Sequence, residues 1–120
     1  MKITQLSEEI MYLTPSGNRL YWMITEEDGA PLFELRYFEI PPLGGTSYGK
    51  HPYEHEVFIV KGYGAVKSGD KEIPLTPGVA VFVPGGEEHQ WINLKDDEPF
   101  GFVCVIPKGM ENEFKPKNGI

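Results

Sequence analysis

The chain has 120 residues and a formal net charge of −7, from 18 acidic against 11 basic side chains. That length holds one domain around one core, and the acidic balance excludes nucleic acid and anionic membranes as partners because like charges repel. A single cysteine rules out an intramolecular disulfide, and no apolar stretch approaches the roughly 18 residues of a membrane span, so a cytoplasmic protein is expected.

Fourteen glycines and eleven prolines punctuate short apolar runs, a pattern that favours many short strands over helices. In chain order, Ser7–Leu13 is a weak helix candidate with Ser7 as a possible N-cap, although it reads equally well as a strand. Ile10–Thr14 and Leu20–Thr25 flank the turn cluster Pro15-Ser16-Gly17-Asn18 and predict a hairpin. Leu32–Ile40 follows, with apolar side chains on both faces, as expected for a strand with one face on the core and one on a second layer.

Pro41-Pro42-Leu43-Gly44-Gly45 interrupts the ladder, and a functional loop is expected to begin there. His55–Lys61 and Tyr63–Lys67 come next around the bend Gly62-Tyr63-Gly64, then Glu72–Leu75 and Val79–Val83, then Gln90–Leu94 and Phe100–Ile106. Strands at this spacing predict an antiparallel sandwich or barrel, and the tail after Pro107 is expected to be loosely ordered.

The three histidines of the chain, His51, His55 and His89, lie at the mouths of two predicted strands beside glycine-rich turns. Side chains at even separations share a face of an extended segment, so His51 and His55 can point one way, with His89 joining from a neighbouring strand. Neutral imidazoles hold a divalent transition metal, with Mn, Fe, Zn, Ni and Cu all compatible, and three of them leave coordination positions free for substrate.

Gly78-(five residues)-Pro84-Gly85-Gly86-Glu87-Glu88-His89-(three residues)-Asn93 matches the pattern G(x)5PxG(x)2H(x)3N at every fixed position. The chain thereby resembles the cupins. The first cupin pattern, G(x)5HxH(x)3,4E(x)6G, is followed less closely by Gly44 through Gly62. His51 falls on its second histidine, Gly49 replaces the first, and the acidic position falls on His55 counted from Gly62 or on Glu56 counted from His51. His51-Pro52-Tyr53-Glu54-His55-Glu56 is similar to small single-domain cupins in which a histidine takes that acidic place, which selects His55.

The resemblance covers about residues 35–107 of a chain read as one domain over 1–120. It implies an all-β fold, the antiparallel jelly-roll barrel or double-stranded β-helix, often as a homodimer. It also implies one divalent metal on His51, His55 and His89, and a small-molecule ligand or substrate. The function expected is that of an enzyme on a small oxygen-rich organic molecule, by dioxygenase-like oxidation or metal-assisted decarboxylation or isomerisation. The alternative is a non-catalytic cupin binding a sugar or other effector.

Catalytic residues are not assigned by the motifs. Glu56, as a spare ligand or a hydrogen-bond acceptor for an imidazole, Tyr48, as a phenolic proton donor, and Cys104, on the same alternate face as Phe102 and Ile106, are candidates. Tyr53 lies near enough to line the pocket, Trp91 is expected in the core, and Asn93 is expected to tie down a turn. Glu54, Glu87 and Glu88 read as surface acids.

Overall fold

The computed structural model describes residues 1–116. Nine strands form two antiparallel sheets: β1 (Met11–Leu13), β2 (Arg19–Ile24), β3 (Phe33–Ile40), β4 (His55–Lys61), β5 (Gly64–Ser68), β6 (Lys71–Leu75), β7 (Ala80–Val83), β8 (Gln90–Asn93) and β9 (Phe100–Pro107). The larger sheet runs β1-β2-β3-β9-β4-β7 and the smaller β6-β5-β8. The fold is all-β, the jelly roll that the strand spacing and the motifs imply.

Each predicted strand appears within a residue or two of its expected ends. Ser7–Leu13 resolves into a short 3-10 turn, Glu8–Ile10, running into β1, and Ser7 makes no side-chain cap. The β1–β2 hairpin turns at Gly17, whose φ of 86° suits glycine. Asn18, the last residue of that turn cluster, is buried, and its amide donates to the Gly45 carbonyl at 3.2 Å, anchoring the hairpin to the loop after β3.

Period-two alternation decides what each strand contributes to the interior. In β4, His55, Val57 and Ile59 point inward while Glu56, Phe58 and Val60 face out. In β9 the inward set is Phe100, Phe102, Cys104 and Ile106. These meet Leu20, Ile40, Val66 and Trp91 from the other strands, and Phe38 stacks on Phe102 at 5.4 Å. Burying each such large apolar side chain contributes roughly 1.5–3 kcal/mol.

β3 departs from the expectation of two ordinary apolar faces. Glu34 and Arg36 point inward and are fully buried, while Phe33 and Leu35 lie on the outer face. Both buried charges find their counter-charge in the segment after β9. Glu34 accepts from Lys115 Nζ at 2.8 Å and from the Gly109 amide at 3.2 Å, and Arg36 pairs with Glu111 at 2.8 Å.

The chain beyond Pro107 is therefore not loose over the described residues. It folds back against β2 and β3 as a strap, with the 3-10 turn Asn112–Phe114 near its end. Trp22 Nε1 donates to the Phe114 carbonyl at 3.0 Å, and the Arg36 guanidinium and the Lys115 ammonium each lie over the Trp22 ring, 5.1 and 5.0 Å from its centroid. Met110 and Phe114 pack against the core.

The loop after β3 lies along β8 and adds to the smaller sheet. Gly49 and His89 exchange backbone hydrogen bonds, and Gly45 bridges to Ile92. Asn93 donates to the carbonyls of Ile40, Pro41 and Glu98 and accepts from the Lys95 amide, tying the loops as expected of it.

Candidate metal centre

Three elements deliver the histidines. His55 is the first inward residue of β4, His89 immediately precedes β8, and His51 lies on the loop that leads from β3 into β4, held by its backbone carbonyl accepting from the Gly86 amide. Gly85 explains the close approach of the two segments: a Cβ there would collide with the Pro52 carbonyl. His55 and His89 are buried and His51 is half-buried.

One ring nitrogen from each of the three histidines lies within 4.8 Å of the others. The outer nitrogens of two rings are committed. His51 Nδ1 meets the Tyr53 carbonyl at 2.8 Å and His89 Nδ1 meets the Glu87 carbonyl at 2.9 Å. A carbonyl oxygen only accepts, so both Nδ1 atoms carry the proton and both Nε2 atoms present lone pairs.

The third ring is set by Cys104, whose Sγ lies 3.1 Å from His55 Nδ1, while His55 Nε2 approaches His51 Nε2 at 2.6 Å. Two imidazole lone pairs at that distance repel unless a proton or a cation lies against both. Without a cation, the thiol donates to His55 Nδ1 and His55 Nε2–H donates to His51. With a cation, His55 Nδ1–H donates to the sulfur and all three Nε2 lone pairs are free. The donor set thus fits a divalent transition metal, and the partners of the outer nitrogens orient the rings for it.

Electrostatics favour neutral rings. Burial holds the His55 imidazolium down to a pKa of about 2, with the Arg36 charge and the other two histidines adding to the effect. Burial likewise lowers His51, partly opposed by its hydrogen bond to Tyr53. Neutral imidazole is the ligating form, so the lowered pKa values of His55 and His51 favour metal binding.

Beside the histidines lies a cavity of about 390 Å³. Cys104, Arg36, Tyr53 and Glu111 reach it, together with Trp91 and Phe102 from the core. The Tyr53 ring stacks on His51 with 4.0 Å between centroids, and its hydroxyl donates to Glu111. Arg36 donates to Cys104 Sγ at 3.3 Å as well as to Glu111. Burial pushes the Cys104 thiol up, and the guanidinium opposes that shift.

Of the catalytic candidates, Cys104 alone reaches the cavity. Glu56 is a correction: it shares β4 with His55, but an odd separation puts it on the exposed outer face opposite Phe82 and Val105. Tyr48 is exposed and its hydroxyl accepts from the Gly69 amide at 2.8 Å, which holds it at the β5–β6 turn instead of the cavity. Glu54, Glu87 and Glu88 are exposed, as expected of surface acids.

Arg36 and Glu111 were not singled out from the sequence. Arg36 carried a signal, a cation in the middle of an apolar strand and in phase with its inward face. Glu111 carried none, because its place depends on how the strap folds back across 75 residues. Its backbone is left-handed, with φ 56° and ψ 33°, a conformation that costs a non-glycine residue roughly 1–2 kcal/mol and is held here by Arg36 and Tyr53.

The cupin-domain family model matches residues 36–106, and the chain belongs to the cupin family. It is 37% identical over 73 residues to 1-methylthio-D-xylulose 5-phosphate methylsulfurylase of Rhodospirillum rubrum, covering 61% of this chain and 46% of that protein. The match thus spans about half the length of that curated relative. Among solved structures, the polyketide cyclase RemF of Streptomyces resistomycificus superposes with a TM-score of 0.82 at 25% identity, over 98% of this chain and 82% of that one. A cupin 2 domain-containing protein from Halorhodospira halophila superposes at 0.74 with 31% identity, over 87% and 70% of the two chains.

Proposed function

We propose that this cupin is a metal-dependent enzyme acting on a small oxygen-rich organic molecule, with His51, His55 and His89 holding one divalent transition metal. The observation that carries the reading is the convergence of three imidazoles whose outer nitrogens are already engaged. A metal held by three neutral ligands supplies Lewis acidity and keeps open positions for substrate oxygens.

The chain's own residues divide the remaining work. Cys104 and the Tyr53 and Glu87 carbonyls hold the ring orientations, and the Tyr53 ring covers one face of His51. Trp91 and Phe102 make one wall apolar, which limits water around the bound molecule. The named enzymes among the similar proteins, a methylsulfurylase and a polyketide cyclase, favour catalysis over passive binding. Oxidation, decarboxylation and isomerisation all suit an open three-histidine centre.

The test is metal analysis of protein purified without chelator, followed by turnover assays on hydroxy acids, sugars and diketones. About one equivalent of metal that is lost in His51→Ala, with turnover of one of these substrates, is expected. Less than about a tenth of an equivalent, unchanged by His51→Ala, overturns the metal site. Full metal without turnover favours a binding protein instead.

A homodimer in the cytoplasm belongs to the same reading. Phe58 and Phe82, 50% and 60% exposed, lie on the outer face of the larger sheet beside Val103 and Val105, and a second copy of this apolar surface would cover it. Sedimentation should give a dimer that Phe82→Glu dissociates; a monomeric wild type overturns this.

A further inference from the structure

Arg36 is a buried cation, 1% exposed, at the wall of the histidine cavity, and its Nε has no hydrogen-bond partner among the described residues. A buried guanidinium needs a carboxylate or an equivalent anion beside it, since leaving it unpaired is strongly destabilising. The carboxylate it has, Glu111, comes from the strap and not from the barrel wall. Glu111 is itself partly exposed and sits in a left-handed backbone conformation, and its carboxylate is held among the described residues by two side chains that line the same cavity, Arg36 and Tyr53. It is built as a counter-ion that can be exchanged.

We propose that the Glu111 carboxylate stands in for a carboxylate of the substrate, and that a small carboxylate-bearing molecule displaces it from Arg36 and Tyr53, turning Glu111 out of the cavity while Gly109 and Lys115 keep their bonds to Glu34. Arg36 stays paired throughout, so the exchange avoids the cost of a bare buried charge. The Nε–H that Glu111 leaves idle is a further donor of the same guanidinium for an incoming anionic group. Its remaining oxygen functions then extend toward the three histidines in the same cavity. The inference names the substrate class for the site proposed above and rests on that reading only for what the substrate does next.

Calorimetric titration of the zinc-loaded protein with benzoate, its neutral counterpart benzamide, and inorganic phosphate tests the proposal. Benzoate should bind Glu111→Gln at least about fivefold more tightly than wild type, because the internal competitor has lost its charge, with benzamide and phosphate unchanged. Tyr53→Phe, which removes the other hold on Glu111 and leaves the charge in place, should shift benzoate in the same direction by a smaller factor. In wild type, saturating benzoate should accelerate hydrogen exchange of the Phe114 amide, which donates to the Glu111 carbonyl in the turn that moves.

Benzoate affinity that neither variant improves, an equal gain for benzamide or phosphate, or unchanged exchange at Phe114 overturns the proposal. A repeat after EDTA treatment separates it from the metal site. Benzoate selectivity in a protein that takes up no zinc refutes the metal centre and upholds the anion site, whereas full zinc uptake without benzoate selectivity refutes the anion site alone.

Discussion

Cys104 Sγ lies 3.1 Å from His55 Nδ1, placed there because the inward positions of β9 and β4 are paired side by side, Cys104 sitting opposite Val57 two residues along from the histidine. The sulfur therefore partners the outer nitrogen of His55 and orients its ring. Removing such a partner typically weakens metal binding 10–100-fold without touching a ligand. Cys104→Ala should bind zinc about tenfold or more weakly in competition with a chromophoric chelator, while its far-ultraviolet dichroism stays that of wild type. Unchanged affinity would show that the sulfur only fills space.

Gly49 occupies the position where the cupin pattern has its first histidine. It exchanges backbone hydrogen bonds with His89, it lines the cavity, and a Cβ built on it meets nothing within 4 Å. Gly49→His should add a fourth imidazole and tighten zinc by at least about tenfold, equivalent to about 1.4 kcal/mol. The same chelator competition reads it.

Gly85 has the opposite character, since any Cβ there strikes the Pro52 carbonyl. Gly85→Ala must push apart the segments that carry His51 and His89. A rise in the zinc dissociation constant larger than the accompanying loss in thermal stability explains is expected, with the site distorted more than the core. Equal affinity in the variant would show that the loop yields without moving His51.

Acid should destabilise the metal-free protein through His55. Its folded pKa, about 2, lies far below the ordinary value of 6.5, and that of His51 is also lowered. Between those limits the unfolded chain binds more protons than the native one. Stability is thus fully present above about pH 6.5 and is lost as pH falls below it, at up to roughly 1.4 kcal/mol per unit for a single group. Urea unfolding at pH 7 and pH 5 in the presence of EDTA should show the loss, and His55→Gln should reduce it.

The histidine spacing, the glycine and proline turns and the strand over His55–Lys61 were legible because each depends on residues close in sequence. A period of two along β4 and β9 already aimed His55 and Cys104 the same way. That same period excluded Glu56, yet the motif count left it in contention, because a motif records spacing and is blind to which face of the strand a residue occupies. Tyr48 was legible as a neighbour of the Gly49 position, but its hydroxyl is claimed by a turn 21 residues away.

By itself, then, the sequence determined an antiparallel barrel of short strands, the family, and the three imidazoles that gather at one end of it. Only the tertiary structure decided what surrounds them. Arg36 became a buried cation because the strap returns to cover it, and Glu111 became its partner through a contact 75 residues long. Local propensity can carry neither fact. A buried charge is tolerable only where a distant segment brings its counter-charge, and that distance is settled by the packing of the whole chain.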